Sequence, residues 1–183
     1  MTIINGVNVN GIQETAERIR KDPKRGKFTI RTETEWADGC LSRTIIERVG
    51  KGEGEHQTES KRFVIEADEP PALQGEDRAP NAVEFVLHGL ASCLVVGFAI
   101  RAALEGIEIE ALKFQLEGDI DLNNFFGLSE GVRPGLQNVE VKCSIKANAS
   151  SKVIETICQE VVKRSAVMDI VQNEVPISME FVR

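Results

Sequence analysis

From Phe85 to Ile100 the chain carries sixteen consecutive residues without a formal charge, and apolar side chains fall on nearly every face of the helix they would form. A helix of that kind has to be covered on all sides, so the rest of a 183-residue chain must be arranged around it. The run is shorter than the roughly 20 apolar residues that span a bilayer, and it contains His88, so it reads as a core helix. Asn81-x-x-Glu84 has the form of a capping box at its start, and Gly106 stops it just after Glu105.

On either side the patterns change. Asn10-Gly11-Ile12-Gln13 has the Asn-x-x-Gln form of a cap and would open a short amphipathic helix, with Ile12, Ala16 and Ile19 on one stripe, ending near Asp22-Pro23. Phe28 to Trp36 alternates with period two; Leu41 to Val49 and Lys61 to Ala67 follow, the latter after the polar, Gly-rich 50–59, giving an antiparallel meander of three strands. Residues 68–80 hold three of the six prolines and form a connecting loop. After the long helix, Leu112 to Leu122 and Val139 to Ala147 alternate as strands. Ser151 to Val171 then shows a helical stripe of Ile154, Ile157, Cys158, Val161, Val162, Ser165 and Met168, and Val175, Ile177, Met179 and Phe181 read as a closing strand. This order predicts an α+β fold with two main helices, the long one buried at the centre, against antiparallel sheets.

With 22 basic and 29 acidic residues the formal charge is −7, which excludes nucleic acid or an anionic membrane as the expected partner. Eight Phe, one Trp and no Tyr leave few stacking platforms for single strands. Six basic residues between Arg18 and Lys27 read as a solvated helix end in so acidic a chain. The start lacks the basic region, apolar run and cleavage site of a secretory signal, so a cytoplasmic location is expected. Cys40, Cys93, Cys143 and Cys158 form no Cys-x-x-Cys pair, and the only histidines are His56 and His88. No metal site, cofactor site or disulfide framework is signalled. Cys143 falls on the apolar face of its strand and is expected to pack in the core; Cys40 belongs to a turn. His88, five residues before Cys93, lies about 140° round the helix from it, which argues against a Cys-His pair.

Gly89, Cys93, Gly97 and Arg101 share one stripe at spacing four. Flanked by residues without bulk, the Cys93 thiol is reachable; the same small residues would equally let another element approach closely. The loop 123–138, with Phe125, Phe126, Leu128, Val132 and Leu136, is too apolar for a solvated loop, and a second copy of the chain is the expected cover.

Two stretches resemble a known family. Pro80-Asn81-Ala82-Val83-Glu84 leading through His88-Gly89-Leu90-Ala91-Ser92-Cys93-Leu94 is similar to the signature helix of the OsmC/Ohr family, the osmotically inducible protein C and organic hydroperoxide resistance proteins. Gly118-Asp119-Ile120-Asp121-Leu122 followed by Arg133-Pro134-Gly135-Leu136-Gln137-Asn138 resembles a pattern of its OsmC-like members. The resemblance covers about Phe28 to Arg183. It implies an OsmC-like domain over 27–183, preceded by an N-terminal extension with a short helix over 1–26, and an intertwined homodimer with its site at the subunit interface. It further implies thiol-dependent reduction of a small organic hydroperoxide, with Cys93 matching the cysteine that attacks the peroxide as thiolate.

The match departs from the family at three points. The family's resolving cysteine is matched by Ser165, whose hydroxyl forms no disulfide. Cys158, seven residues earlier on the same stripe and about 10 Å away, is the alternative resolver only if the helix is shifted by two turns. The family's glutamate ten residues before the reactive cysteine is matched by Val83, leaving Glu84 as a cap. The activating arginine, which the family supplies from the N-terminal strands, is matched by Arg43, with Arg31 the other choice. The resulting expectation is a one-cysteine peroxidase cycle completed by an external thiol reductant. The alternative is a non-redox dimer that binds a small apolar ligand.

Overall fold

The computed structural model describes residues 1–49 and 62–182. The Gly-rich stretch 50–59, with His56, and Lys61 lie outside them. By internal contacts the chain divides into two compact units, Asn10–Phe85 and a second formed by Met1–Val9 with Val86–Arg183.

In the first unit, helix α1 (Val9–Lys21) begins one residue before Asn10, so that asparagine is not the cap expected of it. The chain is led into the helix instead by the preceding turn, where the Val9 amide donates to the Thr2 carbonyl. Strands β3 (Thr29–Asp38), β4 (Leu41–Val49) and β5 (Arg62–Ala67) form the expected meander, in the order β3-β4-β5 and antiparallel throughout. Phe28, Ile30 and Trp36 are each about three-quarters exposed, so these apolar positions of the strand region have no cover among the described residues. The loop after β5 is organised by Asp68, a buried carboxylate that accepts from the amides of Glu69, Glu76 and Arg78 at 2.9, 3.2 and 3.1 Å. The amide of Arg78 foremost holds that carboxyl below its ordinary value. Asn81 and Glu84 then cap helix α2 (Ala82–Leu104) reciprocally: the Glu84 amide donates to Asn81 Oδ1 at 2.9 Å and the Asn81 amide to Glu84 Oε2 at 2.8 Å.

The second unit opens with a hairpin absent from the sequence reading, β1 (Ile3–Ile4) and β2 (Val7–Asn8), turning through Asn5 and Gly6 at φ 54° and 75°. The Asn5 amide docks it: Nδ2 donates to the Ile107 carbonyl at 2.8 Å, and the Ile109 amide donates to Oδ1 at 2.9 Å. Strands β6 (Ile109–Ile120) and β7 (Leu136–Ala147) pair antiparallel, and helix α3 (Ser151–Arg164) follows, capped by Ser150. Leu90, Leu94, Phe98 and Ala102 of α2 and Ile157 and Val161 of α3 form the core, with Leu112, Phe114 and Ile145 of the sheet packed against it.

Four expectations are corrected here. Helix α2 meets the length and hydropathy of a membrane span, and its pattern called for complete cover. One side is buried in the core, while Val86, Val95 and Val96 are 44, 37 and 55% exposed, because α3 and the sheet occupy only one flank. The second helix is not continuous: it breaks at Ser165, which ends α3 and caps helix α4 (Ala166–Gln172). Residues 173–182 form no strand; Ile177 and Phe181 are each 88% exposed, since an alternating segment becomes a strand only with a partner edge. Cys143 is exposed rather than a core residue, because β7 pairs only with β6 and forms a sheet edge among the described residues.

Candidate functional site

The break between α3 and α4 positions the site. A buried serine at that junction has an N-cap conformation, φ −73° and ψ 117°, and its Oγ accepts the Met168 amide at 3.1 Å. That bond occupies a lone pair of Ser165 Oγ and leaves its hydrogen free to point elsewhere. It points to α2: Ser165 Oγ donates to Cys93 Sγ at 3.2 Å.

Cys93 is half-buried. Burial pushes its thiol up, but the Ser165 hydroxyl and the backbone amides of Val167 and Ala166 together hold it below its ordinary value. All three are donors, which favour the anion over the neutral thiol. The thiolate therefore has a cradle of uncharged donors, with no cation hydrogen-bonded to it among the described residues.

From Cys93 a cleft of about 360 Å³ runs between α2 and the α3–α4 segment. Val96, Gly97, Ile100 and Leu104 of α2 and Val161 of α3 give it apolar walls. Gly97 lets α3 approach closely: a Cβ at that position would lie 3.0 Å from Val161 Cγ1. Both readings of the small-residue stripe thus hold at once, since Gly97 admits α3 closely while Cys93 stays open to the cleft. A Cβ at Gly89 would meet nothing within 4 Å, so that glycine faces open space. Arg101, Glu160 and Arg164 also line the cleft. Arg164 first, then Lys163 and Arg101, hold the Glu160 carboxyl below its ordinary value.

Of the expected site residues, the structure brings Cys93 and Ser165 together. Cys158 interacts instead with Cys143. Burial first raises both thiols, Cys143 to about 11. Arg43 lies in the other unit, on β4, where Nε and Nη2 bind Glu66 Oε1 at 3.1 and 2.8 Å. His88 is exposed and contacts Ser92 Oγ at 3.5 Å, and Cys40 donates to the Leu73 carbonyl. Among the described residues no group of three or more His, Cys, Asp or Glu side chains could hold a metal. The sequence reading did not anticipate the donors of Ala166 and Val167 or Arg164 in the lining, whereas Arg101 already stood on the stripe of Cys93. The signal available was the Gly97-to-Arg101 spacing, which carries the thiol's stripe onto an arginine.

The family model for OsmC-like proteins matches residues 75–180, more than half of the chain. An OsmC-like protein from Mycoplasma pneumoniae has the same fold at 19% identity and a TM-score of 0.59, over 80% of this chain and 87% of that one. An OsmC-like protein of unknown function from Vibrio cholerae aligns at 11% identity and 0.58, over 81% and 96%. A Legionella pneumophila protein described as organic hydroperoxide resistance protein OsmC aligns at 14% identity and 0.55, over 79% and 90%. No curated protein sequence matches significantly.

Proposed function

Because the chain belongs to the OsmC-like family, we propose that it reduces organic hydroperoxides through Cys93 in a one-cysteine cycle. The observation that carries this reading is the 3.2 Å hydrogen bond from Ser165 Oγ to Cys93 Sγ: the position of the family's resolving cysteine is occupied by a donor that stabilises the thiolate. The thiolate attacks the terminal oxygen of ROOH; the S–O bond forms as the O–O bond breaks, and the departing alkoxide takes a proton to leave as ROH. Cys93 is left as a sulfenic acid. With no thiol at position 165, an external thiol condenses with the sulfenic acid, releasing water and forming a mixed disulfide, and a second thiol restores Cys93 with release of the reductant's disulfide.

The exposed valines of α2, Phe125, Phe126 and Leu128 at 67, 56 and 73%, and the tail support assembly as a homodimer. Arg43 is the proposed activating arginine on the family resemblance alone.

The test is consumption of tert-butyl hydroperoxide with a monothiol reductant. Wild type should turn over and Cys93→Ser should not. No turnover, together with binding of an apolar ligand in the cleft, would establish the non-redox alternative.

A further inference from the structure

A second pair of thiols, Cys143 and Cys158, lies in the same unit as Cys93 and takes no part in lining its cleft. On β7, Val139, Ile145 and Ala147 pack against the core, so the odd positions of the strand face it. Cys143 has that parity, and its partner across the pair, Phe114, packs against the same core. On α3, Ile157 and Val161 belong to the core, and Ile154 and Cys158, one turn apart, pack against it. Strand and helix therefore turn their two sulfurs toward each other, and the thiols interact as hydrogen-bond partners. Cys158 is half-buried and Cys143, at the sheet edge, is exposed, so the pair is open to a solute. Burial raises the Cys158 thiol, a hydrogen bond from Cys143 acts against it, and the Glu155 carboxylate adds to it. Cys143, pushed up to about 11, keeps its proton longer, so Cys158 ionises first.

We propose that Cys143 and Cys158 are a redox modification site for low-molecular-weight disulfides, closing to an intrachain disulfide that staples β7 to α3. The Cys158 thiolate attacks one sulfur of RSSR; a new S–S bond forms as the reagent's bond breaks, and the departing thiolate takes a proton to leave as RSH. In that mixed disulfide Cys158 has lost its charge, which removes the repulsion that opposes ionisation of Cys143. Cys143 then gives up its proton and attacks the Cys158 sulfur, expelling the second RSH. The dithiol is oxidised by two electrons and RSSR is reduced to two thiols. Thiols whose anions are poorly stabilised are slow leaving groups, so the bridge resists reduction once it has formed. It pins the helix whose later turns supply Val161 to the wall of the Cys93 cleft and end at Ser165, the donor to Cys93. The site operates whether or not Cys93 turns over hydroperoxide.

The test incubates the reduced full chain with glutathione disulfide, quenches with acid, alkylates and maps the peptides by mass spectrometry. The wild type should give a linked pair of peptides holding Cys143 and Cys158, two hydrogens lighter than the reduced pair and restored by dithiothreitol, with Cys93 outside the bridge. The denaturant midpoint of the bridged chain should lie above that of the reduced chain, because the closed loop restricts the unfolded state. In Cys143→Ser glutathione should stay on Cys158 as a mixed disulfide, since no second thiol is there to expel it. The wild type alone decides the outcome. Glutathione retained on either cysteine without a bridge, no change at either one, or a bridge from Cys158 to Cys93 would overturn the proposal. A Cys143–Cys158 bridge that lowers the midpoint would overturn it too, by showing that closure pulls β7 and α3 out of their packing.

Discussion

Cys93 and Cys143 belong to the same unit, one on α2 and one on β7, and their surroundings drive the two thiols in opposite directions. Both are penalised by burial. Cys93 is offset by a hydroxyl and two amides that donate to it, whereas Cys143 has only the second thiol of Cys158 beside it, which raises it further. Cys143 is the more exposed residue and Cys93 the better anion site. The donors around the sulfur, set against its burial, are what separate the two thiols as anion sites.

The largest expected effect comes from giving Cys93 the partner it lacks. In Ser165→Cys the introduced sulfur starts from a position 3.2 Å from Cys93 Sγ, so a small shift reaches the disulfide length of about 2.05 Å. Hydroperoxide treatment should give a bridge between Cys93 and the introduced thiol, seen by peptide mapping, and none in the wild type. A wild-type bridge from Cys93 to Cys158 would erase the contrast between the two thiol sites.

Labelling rates measure the contrast directly. At pH 8 a thiol near 11 has at least about a hundredfold less thiolate than one below 9, and the lower nucleophilicity of the weaker base trims the advantage to about tenfold. Cys93 should therefore alkylate about tenfold faster than Cys143 in the folded chain. Faster reaction at Cys143 would break the comparison.

Removing one donor should give a smaller shift. Ser165→Ala deletes the hydroxyl bonded to Cys93 and the cap of α4, so the midpoint of the Cys93 alkylation–pH profile should move up, and stability should fall by about 1 kcal/mol in denaturant titration. The linkage has a defined sign: a thiol whose folded pKa is depressed adds stability that is present above its unfolded pKa and fades as pH falls through the folded value. The wild type should thus gain on the variant as pH rises through that window. An unmoved midpoint would mean that the two amides alone hold the anion.

The smallest effect is geometric. Gly97→Ala places a Cβ 3.0 Å from Val161 Cγ1 and should press α3 away from α2. The helix propensity of Ala, about 1 kcal/mol better than Gly, offsets that cost. Stability should therefore change little, while the Cys93 midpoint moves part of the way up and Cys143 stays put. Equal movement of both thiols would indicate a general loosening instead.

Much of this was legible before the structure. The Asn81–Glu84 cap, the alternation of the meander and of the β6–β7 pair, and the stripe from Cys93 through Gly97 to Arg101 are local patterns that the fold keeps. The Asn5-Gly6 turn was equally local and went unread between two short apolar pairs. The break at Ser165 was hidden because Ser165 and Met168 continue the apolar stripe of α3 in register, so periodicity runs straight through the kink. Cys143 was placed on the right strand, but its exposure depends on what lies beside a sheet edge, and no pattern within β7 encodes that. For the same reason Val175 to Phe181 alternates like a strand and has no partner strand among the described residues.

The central claim is that Cys93 works alone, with Ser165 as a donor where a resolving thiol would stand. Its most direct test is a single pulse of one equivalent of organic hydroperoxide on the reduced wild type, quenched with a sulfenic-acid trap and mapped by peptide mass spectrometry. The account predicts one trapped oxygen on Cys93, none on Cys143 or Cys158, and no intramolecular disulfide. An unmodified Cys93, or a disulfide joining it to another cysteine of the chain, would contradict it.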